Sequence, residues 1–254
     1  MEIGEYKPVF NTALRFTKGV ELQPDEVKTF LAEAAKQIPE LSVYRQSENG
    51  PNLAQMLAGE KVREILVGDK EITLAVAPPL TVGDADATAR ALYPVIESHI
   101  HVQPLFIEFL HVAFRFGFPF KGNHDSLVLN ELFAGSPFAL LAQGIQGAIR
   151  DFQPKMNLSL TKDHSLQAVV EVQTFTSRRE IESGLYDGDE VRIVCGVAKV
   201  SGLAALPLAA TYAAVYEEAV RFVNERVLGT LVEKLRRVTE LGTAVAGDER
   251  GARK

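Results

Sequence analysis

Between residues 105 and 118 the chain reads LFIEFLHVAFRFGF, the strongest strand pattern it contains. Side chains alternate between the two faces of a strand. One face here carries Phe106, Glu108, Leu110, Val112, Phe114, Phe116 and Phe118. The other carries Leu105, Ile107, Phe109, His111, Ala113, Arg115 and Gly117. Both sets are mainly apolar, so the segment is expected in the middle of a sheet and covered on both sides. The rest of the chain has to supply its neighbours.

Those neighbours are legible as patterns. Pro8 to Thr17 reads as a strand. Residues 22–40 read as a helix that starts at Pro24 with Asp25 and Glu26 in its first turn, and Pro39 marks its end. LSVYRQ (41–46) is a strand, ENGPN (48–52) a loop, and 62–78 two strands around Gly68-Asp69. A helix over 83–100 is interrupted or bent at Pro94, and a second short helix over 125–134 follows the central strand. MNLSL and LQAVVEVQTF flank a turn at 162–165, and IESGLY and EVRIVCGVAKV flank Asp187-Gly188-Asp189. From Leu208 to Val238 a stripe of Tyr212, Val215, Ala219, Phe222, Val223, Val227, Leu231, Leu235 and Val238 has helical spacing, with Glu217/Arg221 and Glu233/Arg237 as supporting pairs. Thirty residues of helix span ~45 Å, more than a sheet is wide, so its far end is expected to protrude or to meet another subunit. The expected architecture is α+β: an antiparallel or mixed sheet, two covering helices and one long C-terminal amphipathic helix. Residues 1–240 form a single domain, within which 1–80 and 81–200 can be read as two similar β-α-β halves, and 241–254 form a disordered tail.

The 254 residues carry 27 Lys plus Arg against 33 Asp plus Glu, a net charge of −6. That balance lacks the basic field of a nucleic-acid binder, and the pairs Arg178-Arg179 and Arg236-Arg237 are read as solvated faces. The N-terminus lacks a signal-peptide pattern. The uncharged stretches 132–149 and 200–216 are broken by Pro and Gly, so no membrane span is expected. A soluble, cytoplasmic protein follows as the expectation. Cys195 is the one cysteine. It alternates with Val191, Ile193 and Val197 and reads as a buried hydrophobe.

A first strand and helix, a mid-chain strand with Phe114-Arg115-Phe116 at its core, a meander and a long final helix together resemble a sporadically distributed bacterial family of uncharacterised proteins of about this length. The resemblance covers element order and length, and it implies no activity, cofactor or catalytic residue.

Gly122-Asn123-His124-Asp125 matches a tetrapeptide that supplies ligands to two-metal phosphoesterases. The other signatures of such a site, an upstream D-x-H and a G-D-x-x-D, are absent from the sequence. A turn into the following helix, capped by Asn123 or Asp125, is the simpler reading. Were a metal bound at all, His99, His101, His124 and Asp125 would be its ligands; no cofactor is expected. Three functions stay open. The first is a non-enzymatic binding or assembly protein whose partner is itself or another protein, using an apolar surface of Phe138, Leu140, Leu141, Leu231 and Leu235. The second is a carrier or sensor of a small apolar ligand, with Phe114, Phe116, Phe118, Glu108, His111 and Arg115 around a cavity. The third is a metal-dependent hydrolase.

Overall fold

The computed structural model describes residues 2–17, 22–38, 41–46, 52–58, 63–68, 70–101, 106–120, 124–143, 152–175, 190–203 and 206–240. The hairpin expected at 187–189, the strand 181–186, Arg178-Arg179 and the tail 241–254 lie outside these residues.

One nine-stranded sheet organises the molecule, in the order β2-β3-β4-β5-β1-β6-β9-β8-β7. The strands are β1 (Val9–Phe16), β2 (Leu41–Gln46), β3 (Asn52–Ala58), β4 (Arg63–Gly68), β5 (Glu71–Val76), β6 (Ile107–Pro119), β7 (Lys155–Ser159), β8 (Leu166–Phe175) and β9 (Glu190–Lys199). Each pairing is antiparallel. The apolar strand is central, as its composition requires: β6 lies between β1 and β9, with Phe10 opposite Phe114 and Leu14 opposite Leu110. Its even positions from Leu110 to Phe116 are buried, against Phe10, Leu14 and Phe16 of β1 and the odd positions of β9 from Val191 to Val197.

The helices are α1 (Pro24–Gln37), α2 (Val82–His99), α3 (His124–Leu127), α4 (Pro137–Ala142) and α5 (Leu208–Phe222). Helix α2 begins with a reciprocal cap: Asp84 N–H donates to Thr81 Oγ1 at 3.1 Å, and Thr81 N–H to Asp84 Oδ2 at 2.8 Å. Pro94 is accommodated inside it without ending it. Helices α1, α2 and α5 share one face of the sheet. Tyr93 of α2 reaches Thr12 of β1, Tyr216 of α5 meets Phe10 at 6.3 Å, and α1 packs on α2. On the second face of β6 Ile107 and Ala113 are buried, Phe109, His111 and Arg115 half-buried and Gly117 exposed; among the described residues these three helices all lie on the first face.

Helix α5 runs on as a π-helix over Val223–Val232 and returns to α geometry over 233–240. The wider turn, with i→i+5 bonds, resets the stripe. Val223, Val227, Leu228 and Val232 are buried, then Leu235 and Thr239. Leu231 and Val238, assigned to the stripe by an even 3.6-residue period, are only partly covered. The far end of the helix packs on the chain's own first turn, Ile3–Tyr6: Ile3 N–H donates to Asn224 Oδ1 at 3.0 Å, and Tyr6 meets Glu233. Of the two expected ion pairs Glu233–Arg237 forms at 2.9 Å, whereas Arg221 pairs with Glu218 instead of Glu217.

Candidate functional site

Helix α4 begins where Ser136 caps it, accepting from Ala139 N–H at 3.2 Å, with Pro137 in its first turn. Only Ala139 turns into the protein. Phe138, Leu140 and Leu141 are 62%, 57% and 74% exposed. The Phe138 ring lies 5.9 Å from Phe152, which meets Phe133 at 5.6 Å, so the exposed residues stand on a packed aromatic base. Leu231 and Leu235 do not extend this exposed apolar surface. Leu235 is fully buried and Leu231 leans on the core, because the π segment turns that part of the helix inward.

The residues read as lining a ligand cavity separate. Phe114 and Phe116 are core, 0% and 1% exposed, packed edge-on against Phe10 at 5.8 Å and Tyr6 at 6.1 Å. Glu108 is exposed and pairs with Arg15 at 3.5 Å, and Arg15 sits 5.8 Å over the Phe109 ring. His111 lies opposite Ala13 and Ala198; its Nε2 is shut off from water and has no hydrogen-bond partner, and burial pushes its pKa down to about 4. Arg115 is half-buried on the same face.

Phe118 lines a cavity. About 450 Å³ in volume, it is lined by Glu5, Tyr6, Phe118, Glu233 and Arg236. On its wall Glu233 accepts from Tyr6 Oη at 2.9 Å, from Arg236 Nε and Nη2 at 3.0 and 2.9 Å, and from Arg237 Nε at 2.9 Å. These bonds, Arg236 first, then Arg237 and Tyr6, hold its carboxyl at about 2. The arginine pair read as a solvated face is thus engaged with an acid three and four residues before it. That spacing was the signal in the sequence; what it lacked was Tyr6, 227 positions away.

His124 and Asp125 are both buried at the start of α3. His124 is 1% exposed, and its Nε2 donates to the Phe120 carbonyl at 3.0 Å. Asp125 does not cap its helix. Its Oδ1 accepts from Phe152 N–H and Thr174 Oγ1, both at 3.0 Å, fastening α3 to the segment before β7 and to β8. Asn123 lies outside the described residues. His99 closes α2 and donates from Nδ1 to the Val95 carbonyl at 3.1 Å; His101 follows the helix, exposed. The extended geometry that would have set both imidazoles on one face does not occur. Among the described residues no group of three or more His, Cys, Asp or Glu could hold a metal ion. Cys195 is buried, and burial pushes its thiol well above the usual range. Among the described residues no helix is long and apolar enough to cross a membrane.

No protein-family model matches the chain, and no curated protein does either. Among solved structures it is similar to the TBP of Methanococcus jannaschii at 10% identity, over 84% of this chain and 98% of that one, with a TM-score of 0.25.

Proposed function

We propose that the protein is a non-enzymatic assembly module that docks a protein partner, a second copy of itself in the simplest case, through the apolar face of α4. The observation that carries this reading is the exposure of Phe138, Leu140 and Leu141 on one six-residue helix. Apolar side chains of this size stabilise an association when they leave water, by ~25 cal/mol for each Å² buried. The acidic balance of the chain, −6, favours a protein partner over nucleic acid.

Sedimentation velocity across a concentration series tests it. Wild type should self-associate as concentration rises, and Leu141→Asp combined with Phe138→Ser should stay monomeric at every concentration. Identical sedimentation of the two proteins would sink the reading.

The sheet order supports a further proposal, that the chain holds two related halves joined at β1 and β6. On each flank the first strand is central, a helix follows, a meander returns to pair with that strand (β5 on β1, β9 on β6), and a long helix closes the unit (α2, α5). Expressing residues 1–101 alone tests this, since a related half should yield a folded, exchange-protected sheet and a mere coincidence of order an unfolded chain.

A further inference from the structure

Strand β7 ends the sheet order, and among the described residues no further strand flanks it. Lys155, Met156, Asn157 and Ser159 are exposed and Leu158 is half-buried. The hydrogen bonds at the two ends of the strand set which backbone groups face outward. Val172 N–H donates to the Pro154 carbonyl at 3.0 Å, and Leu160 N–H to the Leu166 carbonyl at 2.9 Å. Hydrogen-bonded pairs alternate along an antiparallel ladder, so Met156 and Leu158 direct their N–H and C=O groups at β8. Those of Lys155, Asn157 and Ser159 point away from it. The side chains follow the same alternation. Met156 and Leu158 lie on the face of Val170 and Ala168, their buried cross-strand partners, and Pro154 and Leu160 continue that apolar stripe in the sequence. Met156 nevertheless stays 50% exposed and Leu160 36%. Lys155, Asn157 and Ser159 make the opposite face polar.

Edge strands are commonly guarded by a bulge, a proline or a charge. The register of β7 with β8 runs without a shift. Pro154 turns towards β8, so its missing N–H removes nothing from the outer edge. The one charged residue of β7, Lys155, is drawn back to Glu171 of β8 at 3.3 Å. The strand is also complementary to itself. In an antiparallel pair centred on Asn157, Asn157 faces Asn157 and Lys155 faces Ser159, so every outward N–H and C=O meets its mate. Between these pairs Met156 faces Leu158, apolar on apolar, at positions where side chains approach most closely. No charge meets a like charge, whereas a pair centred on Lys155 would oppose two ammonium groups. We propose that β7 pairs with β7 of a second copy about a twofold axis at Asn157, joining two nine-stranded sheets into one. The proposal rests on the self-association read from α4 and gives it a second element. Phe152, just before β7, meets Phe138 of α4 at 5.9 Å, so the two surfaces adjoin. Because both copies use the same edge, the assembly closes at a dimer.

A cysteine on the axis tests this in the full-length protein, since Cys195 is buried and leaves the new thiol as the reactive one. Facing residues of a hydrogen-bonded pair lie ~5.5 Å apart between Cα atoms, within reach of a disulfide. Under mild oxidation Asn157→Cys should give a disulfide-linked dimer, and Lys155→Cys, whose mate is Ser159, should stay monomeric on a non-reducing gel. Asn157→Pro removes one outward N–H and spares the bonds to β8, so it should fold and raise the Kd of self-association in sedimentation about tenfold or more. Should it fail to fold, Asn157→Lys sets like charges opposite each other at an exposed position and should weaken association likewise. The proposal is overturned by equal cross-linking of the two cysteine variants, by wild-type association in the folded Asn157 variant, or by a wild type that stays monomeric. The two surfaces fail separately. Association lost with Leu141→Asp and Phe138→Ser but kept with Asn157→Pro sinks the β7 pairing alone, and the reverse pattern sinks the α4 reading.

Discussion

The Tyr6 hydroxyl donates to Glu233 Oε2 across 2.9 Å, joining positions 227 residues apart. Arg236 lies 6.0 Å over the same tyrosine ring while its Nε and Nη2 donate to the same carboxylate. Glu233 is thus ionised in the folded protein down to about pH 2, against an ordinary value of 4.5. A depressed carboxyl pKa contributes stability that is fully present above the unfolded value and is lost as pH falls through the folded one. Urea midpoints of wild type should therefore drop between pH 4.5 and pH 2. Glu233→Gln should lower the midpoint at neutral pH and show a shallower decline across that window. Parallel pH profiles for the two proteins would contradict the assignment.

Thr12 is 2% exposed and has both its roles filled. Its Oγ1 donates to the His111 carbonyl at 2.8 Å and lies 2.7 Å from Tyr93 Oη, from which it accepts. Tyr93 in turn stacks on Tyr212 at 4.7 Å, linking α2 to α5. Thr12→Val keeps the shape and strands a buried phenol. Urea unfolding should report a loss of about 1–3 kcal/mol, and Thr12→Ser, which restores the hydroxyl, should lose less.

Gly196 of β9 faces Ala113 of β6. A Cβ there would lie 2.2 Å from the Val112 carbonyl oxygen and 2.6 Å from Ala113 Cα. These are backbone atoms of the central strand and cannot rotate aside. Gly196→Ala should cost about 3 kcal/mol or more, or leave the protein insoluble. At Gly4, where nothing lies within 4 Å of the added methyl, the same change should leave the thermal midpoint nearly where it was.

His111 responds to pH in its own window. Burial holds its folded pKa at about 4, below the ordinary 6.5, so the unfolded chain takes up the proton first. The neutral imidazole is tolerated above pH 6.5, and stability is lost as pH falls from there towards 4, by up to about 1.4 kcal/mol per pH unit. Carboxylates titrate in part of the same range, so the reading is the difference between wild type and His111→Leu. That difference should change steadily as the pH falls from 6.5 towards 4 and be constant above neutrality.

Local rules made much of this fold visible. The alternation of β6 and β8 follows from side-chain period, and the two strands read on either side of residue 69 pair as β4 and β5. Strand β3 was missed because NLAQMLA has no β-branched or aromatic residue. Sheet order was illegible, since β1 and β6 are brought together from nearly 100 residues apart by packing. The π segment moved the buried positions from Leu231 and Val238 to Val232 and Thr239, a shift that no 3.6-residue template contains. At the candidate site, Phe138, Leu140 and Leu141 stood out as an uncharged run.

The tie between the first turn and the last helix also orders events during synthesis. Residues 3–6 leave the ribosome long before Asn224 and Glu233, the partners of Ile3 and Tyr6, so these two bonds wait for most of the described chain. Contacts of such sequence separation are slow to form, and the sheet can assemble before either arrives. A chain truncated before 224 would keep Phe116 for the Tyr6 ring to pack on but would leave the Ile3 amide and the Tyr6 hydroxyl without Asn224 and Glu233.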